Sequence, residues 1–510
     1  MSDVLNNLPL KTGLREACGV FGILLPEQTR DNTATPGTKP FATAPFTTAI
    51  GHNIYYGLYA LQHRGQESCG MAVFDHDQLR IHKDMGLVNQ VFTQALLDKM
   101  TGQVGIGHTR YSTTGSSTLE NAQPVVVRSS YGAITVAHNG NLTNAHALAT
   151  FLNNAGYPPL GDSDSHLMAE RIRYELDKQR LLPHATEHSR LIEAVRLALS
   201  ECQGAFSVVI ATGDTLIAAR DPNGFRPFCR GVMPGGVAIL ASETCALDIV
   251  GAEFVCDIQP GELWWINRSG ESGSERISPD AAANGCVFEL VYFARPDSRF
   301  QHNETESRSI YTYRLAMGKR LAEISPPVEA DFVIPVPDSG NVAAVGYSQA
   351  SGIPYMEGLI KNRYVGRTFI HPTQELRQRG IQLKLNPLTD VLKGKRVVVV
   401  DDSIVRGNTS QKIVQMLRAS GVTEVHLRIS SPPVKHPCFY GIDMSHPSEL
   451  LANQMTLPEI QAWLGVESLT YLGVEDLRAI ANIEAPCMAC FNNHYPAGKI
   501  EEPDFQTLGL

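Results

Sequence analysis

The stretch Val397-Val-Val-Val-Asp401-Asp402-Ser403-Ile-Val-Arg406-Gly407-Asn-Thr409-Ser410 runs from four apolar residues into two carboxylates and then a hydroxyl-bearing turn. A continuous apolar run suits a strand buried on both faces, and such strands belong to parallel sheets covered by helices. The carboxylates fall at the strand's carboxyl end, where open α/β sheets bind ligands. Ser403, Thr409 and Ser410 offer hydroxyls, and Gly407 permits a close backbone approach. The segment NTSQKIVQMLRAS then opens a helix, whose free N–H groups and dipole attract an anion. Adjacent carboxylates can accept hydrogen bonds from ribose hydroxyls and contact Mg²⁺, a hard cation that prefers oxygen. No G-x-x-x-x-G-K-[ST] loop is present, so the anion site is not of the Walker type.

Upstream, DFVIPVP precedes the helical pattern NVAAVGYSQA, which repeats the strand-then-helix rhythm of an α/β domain. Between Lys361 and Arg396 stand nine Lys or Arg residues against two acids, Glu375 and Asp390. The whole chain has a net charge of −9. A local basic patch in an acidic protein suits a small, highly phosphorylated ligand, whereas broad nucleic-acid binding needs a general cationic surplus.

At 510 residues the chain exceeds one compact core, so two domains are expected. Hydrophobic content of 43% with 19% charged residues is ordinary for a globular enzyme. In the first half, short β-type runs such as ITVAHNG, SVVIAT and VAILAS alternate with turn residues and with helical stretches over Ser165–Gln179 and Arg190–Cys202, an α+β mixture. Residues 268–285 are polar and Ser/Gly-rich and read as a linker, while Pro26–Thr48 reads as an inserted surface loop. The tail after Tyr471 shows no strand–helix rhythm.

The Asp401-Asp402 segment resembles the phosphoribosyl pyrophosphate loop of type I phosphoribosyltransferases. Val336-Pro-Asp-Ser339-Gly340 looks like that fold's pyrophosphate loop, with Ser339 a metal contact, and Lys361-Asn-Arg-Tyr-Val-Gly-Arg367-Thr looks like its cationic hood, with Lys384 in the same basic stretch. The resemblance implies that Ser339, Arg367, Lys384, Asp401, Asp402, Ser403, Arg406, Gly407, Thr409 and Ser410 bind phosphoribosyl pyrophosphate. One Mg²⁺ per subunit would sit at Ser339, Asp401 and Asp402.

Near the other end, Cys18-Gly-Val-Phe-Gly is weak alone, because a lone cysteine is usually a small buried hydrophobe. Its companions are Leu61-Gln-His-Arg64-Gly-Gln, His108-Thr-Arg110-Tyr-Ser, Ala137-His-Asn139-Gly140-Asn and Gly161-Asp-Ser-Asp164-Ser. Together these resemble the glutaminase of N-terminal-nucleophile amidotransferases, a four-layer αββα fold, over residues 18–267. Hydrolysing a side-chain amide needs a thiolate, a proton shuttle and donors for the oxyanion. By the resemblance Cys18 is the nucleophile, Asn139 and Gly140 form the oxyanion hole, Arg110 binds the glutamine carboxylate and Asp164 its ammonium group. Cys18 must then become the first residue, so Met1–Ala17 reads as a propeptide. His166 stands where relatives often carry Glu, a departure that leaves Asp164 itself in place.

The same glutaminase serves asparagine synthetase, glutamate synthase and glucosamine-phosphate synthase; the phosphoribosyl loop selects among them. With Glu289-Leu-Val-Tyr-Phe-Ala-Arg-Pro-Asp-Ser at the junction, the chain resembles the amidophosphoribosyltransferase family over nearly its whole length. The resemblance implies conversion of glutamine, phosphoribosyl pyrophosphate and water into 5-phosphoribosylamine, glutamate and pyrophosphate, the first committed step of purine synthesis. It also implies a transferase domain over residues 286–470, a tail over 471–510, a homotetramer and inhibition by purine nucleotides.

No apolar run is long enough to span a bilayer, and Met1–Ala17 lacks the features of a signal or transit peptide. A cytoplasmic, reducing setting is therefore expected, with the ten cysteines as thiols or ligands. Cys487-Met-Ala-Cys490 alone is compatible with zinc, redox chemistry or a cluster. Together with Cys286 and Cys438, its context resembles the ligands of a four-iron four-sulfur cluster carried by some family members.

Overall fold

The computed structural model describes residues 18–27, 49–111, 117–179, 186–301, 307–362, 384–442, 444 and 446–499. Met1–Ala17, Arg367 and most of the Pro26–Thr48 insertion lie outside the described residues.

Two antiparallel sheets build the first domain. One has seven strands, in the order Glu253–Asp257, Cys229–Met233, Val237–Ala241, Gly19–Leu24, Val104–Arg110, Ser68–Asp75 and Gln78–Met85. The other has six, Ser272–Arg276, Glu262–Asn267, Thr215–Arg220, Gly204–Ala211, Gly132–Leu142 and Val125–Ser129. Successive side chains of a strand point to opposite faces, and Gly19–Leu24 uses both. Val20 and Leu24 enter the core between the sheets with Val209, Leu216 and Ala218. Phe21 and Ile23 point outward and pack with Ile54 and Leu58 of the helix Ile50–Ala60. Helices Asp164–Gln179 and Glu187–Ser200 cover the outer face of the second sheet through Met168, Ile172, Leu191 and Val195. The layers are αββα, as the resemblance implies.

The second domain holds a four-stranded parallel sheet, Phe332–Pro335, Arg396–Asp401, Glu424–Ile429 and Ser468–Tyr471 in that order. Its four valines divide between two cores. Val398 and Val400 join Tyr313, Met317, Ala343 and Tyr347 on one face, while Val397 and Val399 join Ile413, Leu417, Ile460 and Leu464 on the other. Burial on both faces is why the run reads as unbroken.

Two expectations need correction. The stretch taken as a linker at 268–285 contains the strand Ser272–Arg276, paired antiparallel with Glu262–Asn267. It is an exposed edge strand of polar residues, so it carries no apolar period to read. The tail is also less irregular than its sequence suggests, since helix Val474–Ala481 buries Leu477 and Ala481 in the same core as Met488, Cys490 and Phe491. A helix of eight residues offers too few turns for a clear period.

Candidate active sites

Cys18 lies just before strand Gly19–Leu24, whose neighbour Val104–Arg110 pairs Gly19 with Thr109. That register sets Cys18 beside Arg110 and Tyr111. The Cys18 thiol is 3.4 Å from the Tyr111 carbonyl it donates to, and the Tyr111 N–H is 3.5 Å from the sulfur. Burial pushes the thiol up; hydrogen bonding to Tyr111 and the Arg110 charge pull the other way without overcoming it.

Asn139 and Gly140 come from the second sheet. His108 of the first sheet reaches across and donates through Nε2 to the His138 carbonyl at 3.0 Å, immediately before them. Burial lowers the His108 pKa to about 3, so this ring is neutral. Both polar atoms of the fully buried Asn139 amide lack a hydrogen-bond partner. A buried amide left unsatisfied costs about 1–3 kcal/mol, which marks a group kept for a ligand. Gly140 has φ +151°, and a Cβ there would stand 2.0 Å from the Ala205 carbonyl oxygen, so no side chain fits. These features suit an oxyanion hole.

Arg110 is buried and its Nη1 contacts Glu67 at 3.2 Å. Asp164 starts its helix, where the dipole favours an anion. It accepts the Leu142 N–H at 3.1 Å and lies 3.5 Å from His138 Nδ1. Burial raises the Asp164 pKa, but His138 and the surrounding N–H groups outweigh it and hold the carboxyl below its ordinary range. His138 was given no role by the sequence, although it stands inside the quoted motif. His166 is turned onto Ser163, with Nδ1 2.8 Å from the hydroxyl, and burial lowers its pKa to about 4. It therefore adds no charge beside Asp164 at neutral pH.

In the second domain the loops after adjacent strands meet. The Val336 N–H donates to the Val400 carbonyl at 2.9 Å, and Gly340 packs so closely that a Cβ would lie 2.4 Å from that oxygen. This sets the Ser339 loop beside Asp401 and Asp402. Both aspartates are buried, and burial followed by the neighbouring Asp402 carboxylate pushes Asp401 well above its ordinary range. Ser403 donates to Asp402. Lys361, at the start of the basic stretch, pairs with Asp338 of the Ser339 loop. The Lys384 carbonyl accepts the Asn362 N–H at 2.8 Å, which closes the described ends of that stretch on each other.

Two residues have other partners than the sequence reading assigned. Arg406 Nε donates to Glu449 Oε2 at 2.9 Å, so its guanidinium is engaged within the protein. Gly407 caps helix Asn408–Ala419 with φ 78°, and a Cβ would meet Leu451 at 2.6 Å and Trp463 at 2.8 Å. Its glycine answers to a left-handed turn and to packing, whether or not a ligand comes near. Thr409 and Ser410 open that helix, with Ser410 buried.

The four cysteines gather at the seam between the domains. Cys286 and Cys487 form a parallel bridge, and the Cys490 carbonyl accepts the N–H groups of Lys435 and His436, close before Cys438. All four are free thiols. Burial, then the Cys286 thiol, push Cys487 well above the ordinary range; Cys490 is raised by burial and then by Cys286, Cys438 and Cys487. Among the described residues no group of three or more His, Cys, Asp or Glu is arranged to hold a metal ion.

Two domain models match the chain, a glutamine amidotransferase domain at residues 108–248 and a phosphoribosyl transferase domain at 317–431. The amidophosphoribosyltransferase of Synechocystis sp. is 50% identical, with 94% of this chain and 91% of that protein covered. That of Bacillus subtilis is 44% identical, with 95% of each covered. Among solved structures, the B. subtilis glutamine phosphoribosylpyrophosphate amidotransferase complexed with ADP and GMP matches with a TM-score of 0.81 and 42% identity, covering 95% of this chain and 98% of that one. A structure described as the allosteric regulatory enzyme of purine biosynthesis matches with a TM-score of 0.82 and 43% identity, covering 95% and 97%. With near-complete coverage at this identity and both domains in place, the chain belongs to the amidophosphoribosyltransferase family of purine biosynthesis enzymes, pentosyltransferases that draw their nitrogen from glutamine.

Proposed function

We propose that Cys18 becomes the amino-terminal nucleophile once Met1–Ala17 is removed, and that the freed α-amine serves as its base. With the Ala17–Cys18 bond intact the nitrogen is an amide and cannot take a proton, and burial disfavours the thiolate. A free α-amine titrates near ~7.7–8.0, which suits a base at neutral pH. The sulfur then attacks the glutamine amide carbon, Asn139 Nδ2 and the Gly140 N–H stabilise the oxyanion, and ammonia leaves. Water releases glutamate from the thioester. Arg110 holds the substrate carboxylate and Asp164 its ammonium group. The unpartnered Asn139 amide is the observation that carries this reading. Amino-terminal sequencing of active protein is expected to begin at Cys18; full glutamine-dependent activity with Met1–Ala17 attached would overturn it.

At the second centre Asp401 and Asp402 hold the ribose and metal end of phosphoribosyl pyrophosphate. Ser339, Lys384, Ser403, Thr409, Ser410 and Arg367 bind its phosphates, with Arg406 released from Glu449 to join them. Two neighbouring carboxylates at a strand end fit Mg²⁺, which commonly takes one or two carboxylates and completes its shell with phosphate and water. When bound it would neutralise the departing pyrophosphate. Ammonia passes internally from the first centre to C1 of the ribose, the subunits form a homotetramer, purine nucleotides inhibit, and the setting is cytoplasmic. Among the described residues no helix is long and apolar enough to cross a membrane.

Cys286, Cys438, Cys487 and Cys490 would hold a four-iron four-sulfur cluster. Four thiolates on one zinc, at about 2.3 Å each, would crowd to about 3.8 Å from one another. A cube of iron and sulfide spreads its ligands wider, and four cysteines gathered at one seam support that reading. The Tyr440 N–H also points at the Cys438 sulfur at 3.4 Å, a hydrogen bond of the kind that tunes cluster thiolates. Anaerobically purified protein is expected to carry about four iron and four sulfide per chain. Cys438→Ser should lose the colour and lower thermal stability; unchanged iron content would remove Cys438 from the ligand set.

A further inference from the structure

A chain of buried ion pairs runs from the nucleophile to the back of the oxyanion glycine, and its central member comes from the transferase side. At one end Arg64 Nε donates to the Cys18 carbonyl at 3.1 Å. The same guanidinium grips Glu289 with two hydrogen bonds, of 2.9 and 2.7 Å, and also binds Glu243. Glu289 in turn accepts from Arg226 Nη1 at 2.9 Å. At the other end Arg226 clamps the Tyr440 carbonyl with Nε at 3.0 Å and Nη2 at 2.7 Å. Arg64 and Arg226 are fully buried and Glu289 is 2% exposed.

The clamped loop lies directly behind Gly140. Gly441 has φ +96°, and a Cβ on it would stand 3.0 Å from the Gly140 carbonyl carbon. The two backbones abut with no side chain between them. Asn141, the residue after Gly140, donates to the Phe439 carbonyl at 3.0 Å, and Phe225 stacks on Tyr440 at 4.2 Å. The loop therefore has fixed contacts on both sides of Tyr440, and the Cα and carbonyl of Gly140, next to the oxyanion N–H, rest against it.

We propose that Glu289 is a positioning residue for glutamine hydrolysis. Through Arg64 it fixes the main chain of the nucleophile, and through Arg226 it fixes the loop that backs the Gly140 peptide. An oxyanion donor acts only at hydrogen-bonding distance from the developing charge, so a shift of this backing lowers turnover rather than substrate affinity. Because Glu289 belongs to the junction with the transferase domain, the glutaminase would be competent only with that domain docked. The proposal rests on the reading of Cys18 as nucleophile and Gly140 as oxyanion donor.

The test is Glu289→Gln in the full, processed chain. A neutral amide keeps one acceptor oxygen, as Oε1 now serves both arginines, but it turns an NH₂ toward Arg64 Nη1 in place of Oε2 and removes the charge, so the two-pronged grip on Arg64 is lost and the hold on Arg226 weakens. Expected is a fall of about tenfold or more in glutaminase kcat per reactive Cys18 thiol, with the glutamine KM and ammonia-dependent synthesis each held within about twofold. Unchanged kcat, or an equal loss of glutamine- and ammonia-dependent activity, would overturn the proposal. If Glu289→Gln fails to fold, Arg226→Lys decides on the same measurements, since it keeps a cation but not the two-pronged grip on Tyr440. Cys18→Ala run beside them separates the two levels. If it still hydrolyses glutamine, the underlying site reading fails; if it is inert while both other variants turn over normally, only the positioning role fails.

Discussion

Cys18→Ala is expected to abolish glutamine-dependent synthesis while leaving ammonia-dependent synthesis within about twofold of the parent. The first half of that expectation follows from chemistry. Alanine removes the sulfur that would carry the acyl group. The charges sensed by the Cys18 thiol are those of Arg110, Asp164 and Glu67. The second half follows from architecture. Cys18 lies just before a strand of the seven-stranded sheet, whereas Asp401 and Asp402 stand at the end of a strand of a separate parallel sheet with its own two cores. Alanine is smaller than cysteine, so the packing around position 18 is not overfilled. The measurement is pyrophosphate release from phosphoribosyl pyrophosphate with either glutamine or ammonium as nitrogen donor. Residual glutamine use above a few per cent would mean that another group performs the attack.

The two halves of the molecule were legible in the sequence to different depths. In the transferase half, Val397–Val400 declared a strand buried on both faces, and the structure gives the reason in the alternation of its valines between two cores. In the glutaminase half the motifs suggested a chemistry and carried no geometry. Cys18, Asn139 and Asp164 are brought together by strand register and by helix docking, which no short motif encodes. The edge strand Ser272–Arg276 was missed because an exposed, polar strand has no apolar face to reveal it. Glu289 was visible inside the junction motif, yet its role depends on Arg64 and Arg226, which lie 225 and 63 residues away in sequence. Long-range ion pairs leave no local period, and that is why the seam between the domains could not be read from the chain alone. The Arg406 contact with Glu449 was hidden for the same reason.

Asp401→Ala and Asp402→Ala are each expected to lower synthesis by about a hundredfold or more with either nitrogen source, because oriented contacts to the reacting sugar and metal act mainly in the transition state. Two carboxyl groups are buried side by side, with Asp401 held well above its ordinary range by burial and by Asp402. The protein answers them with the Asp402 N–H, donated to Asp401 at 2.9 Å, and with the Ser403 hydroxyl, donated to Asp402. Neither donor carries a full charge. A buried acidic pair is costly even with the Arg314 guanidinium acting on Asp402, and fold stability gains little from it. Bound Mg²⁺ would add positive charge beside the pair, and the ribose would add hydroxyl donors. Removing either carboxylate should therefore weaken activity and at the same time leave thermal stability unchanged or raised, the opposite of what a structural acid pair would do. Steady-state assays with glutamine and with ammonium, read beside thermal unfolding of the free enzyme, check both signs. Ammonia-dependent turnover that survives both substitutions, or a large loss of stability without ligand, would return Asp401 and Asp402 to a purely structural role.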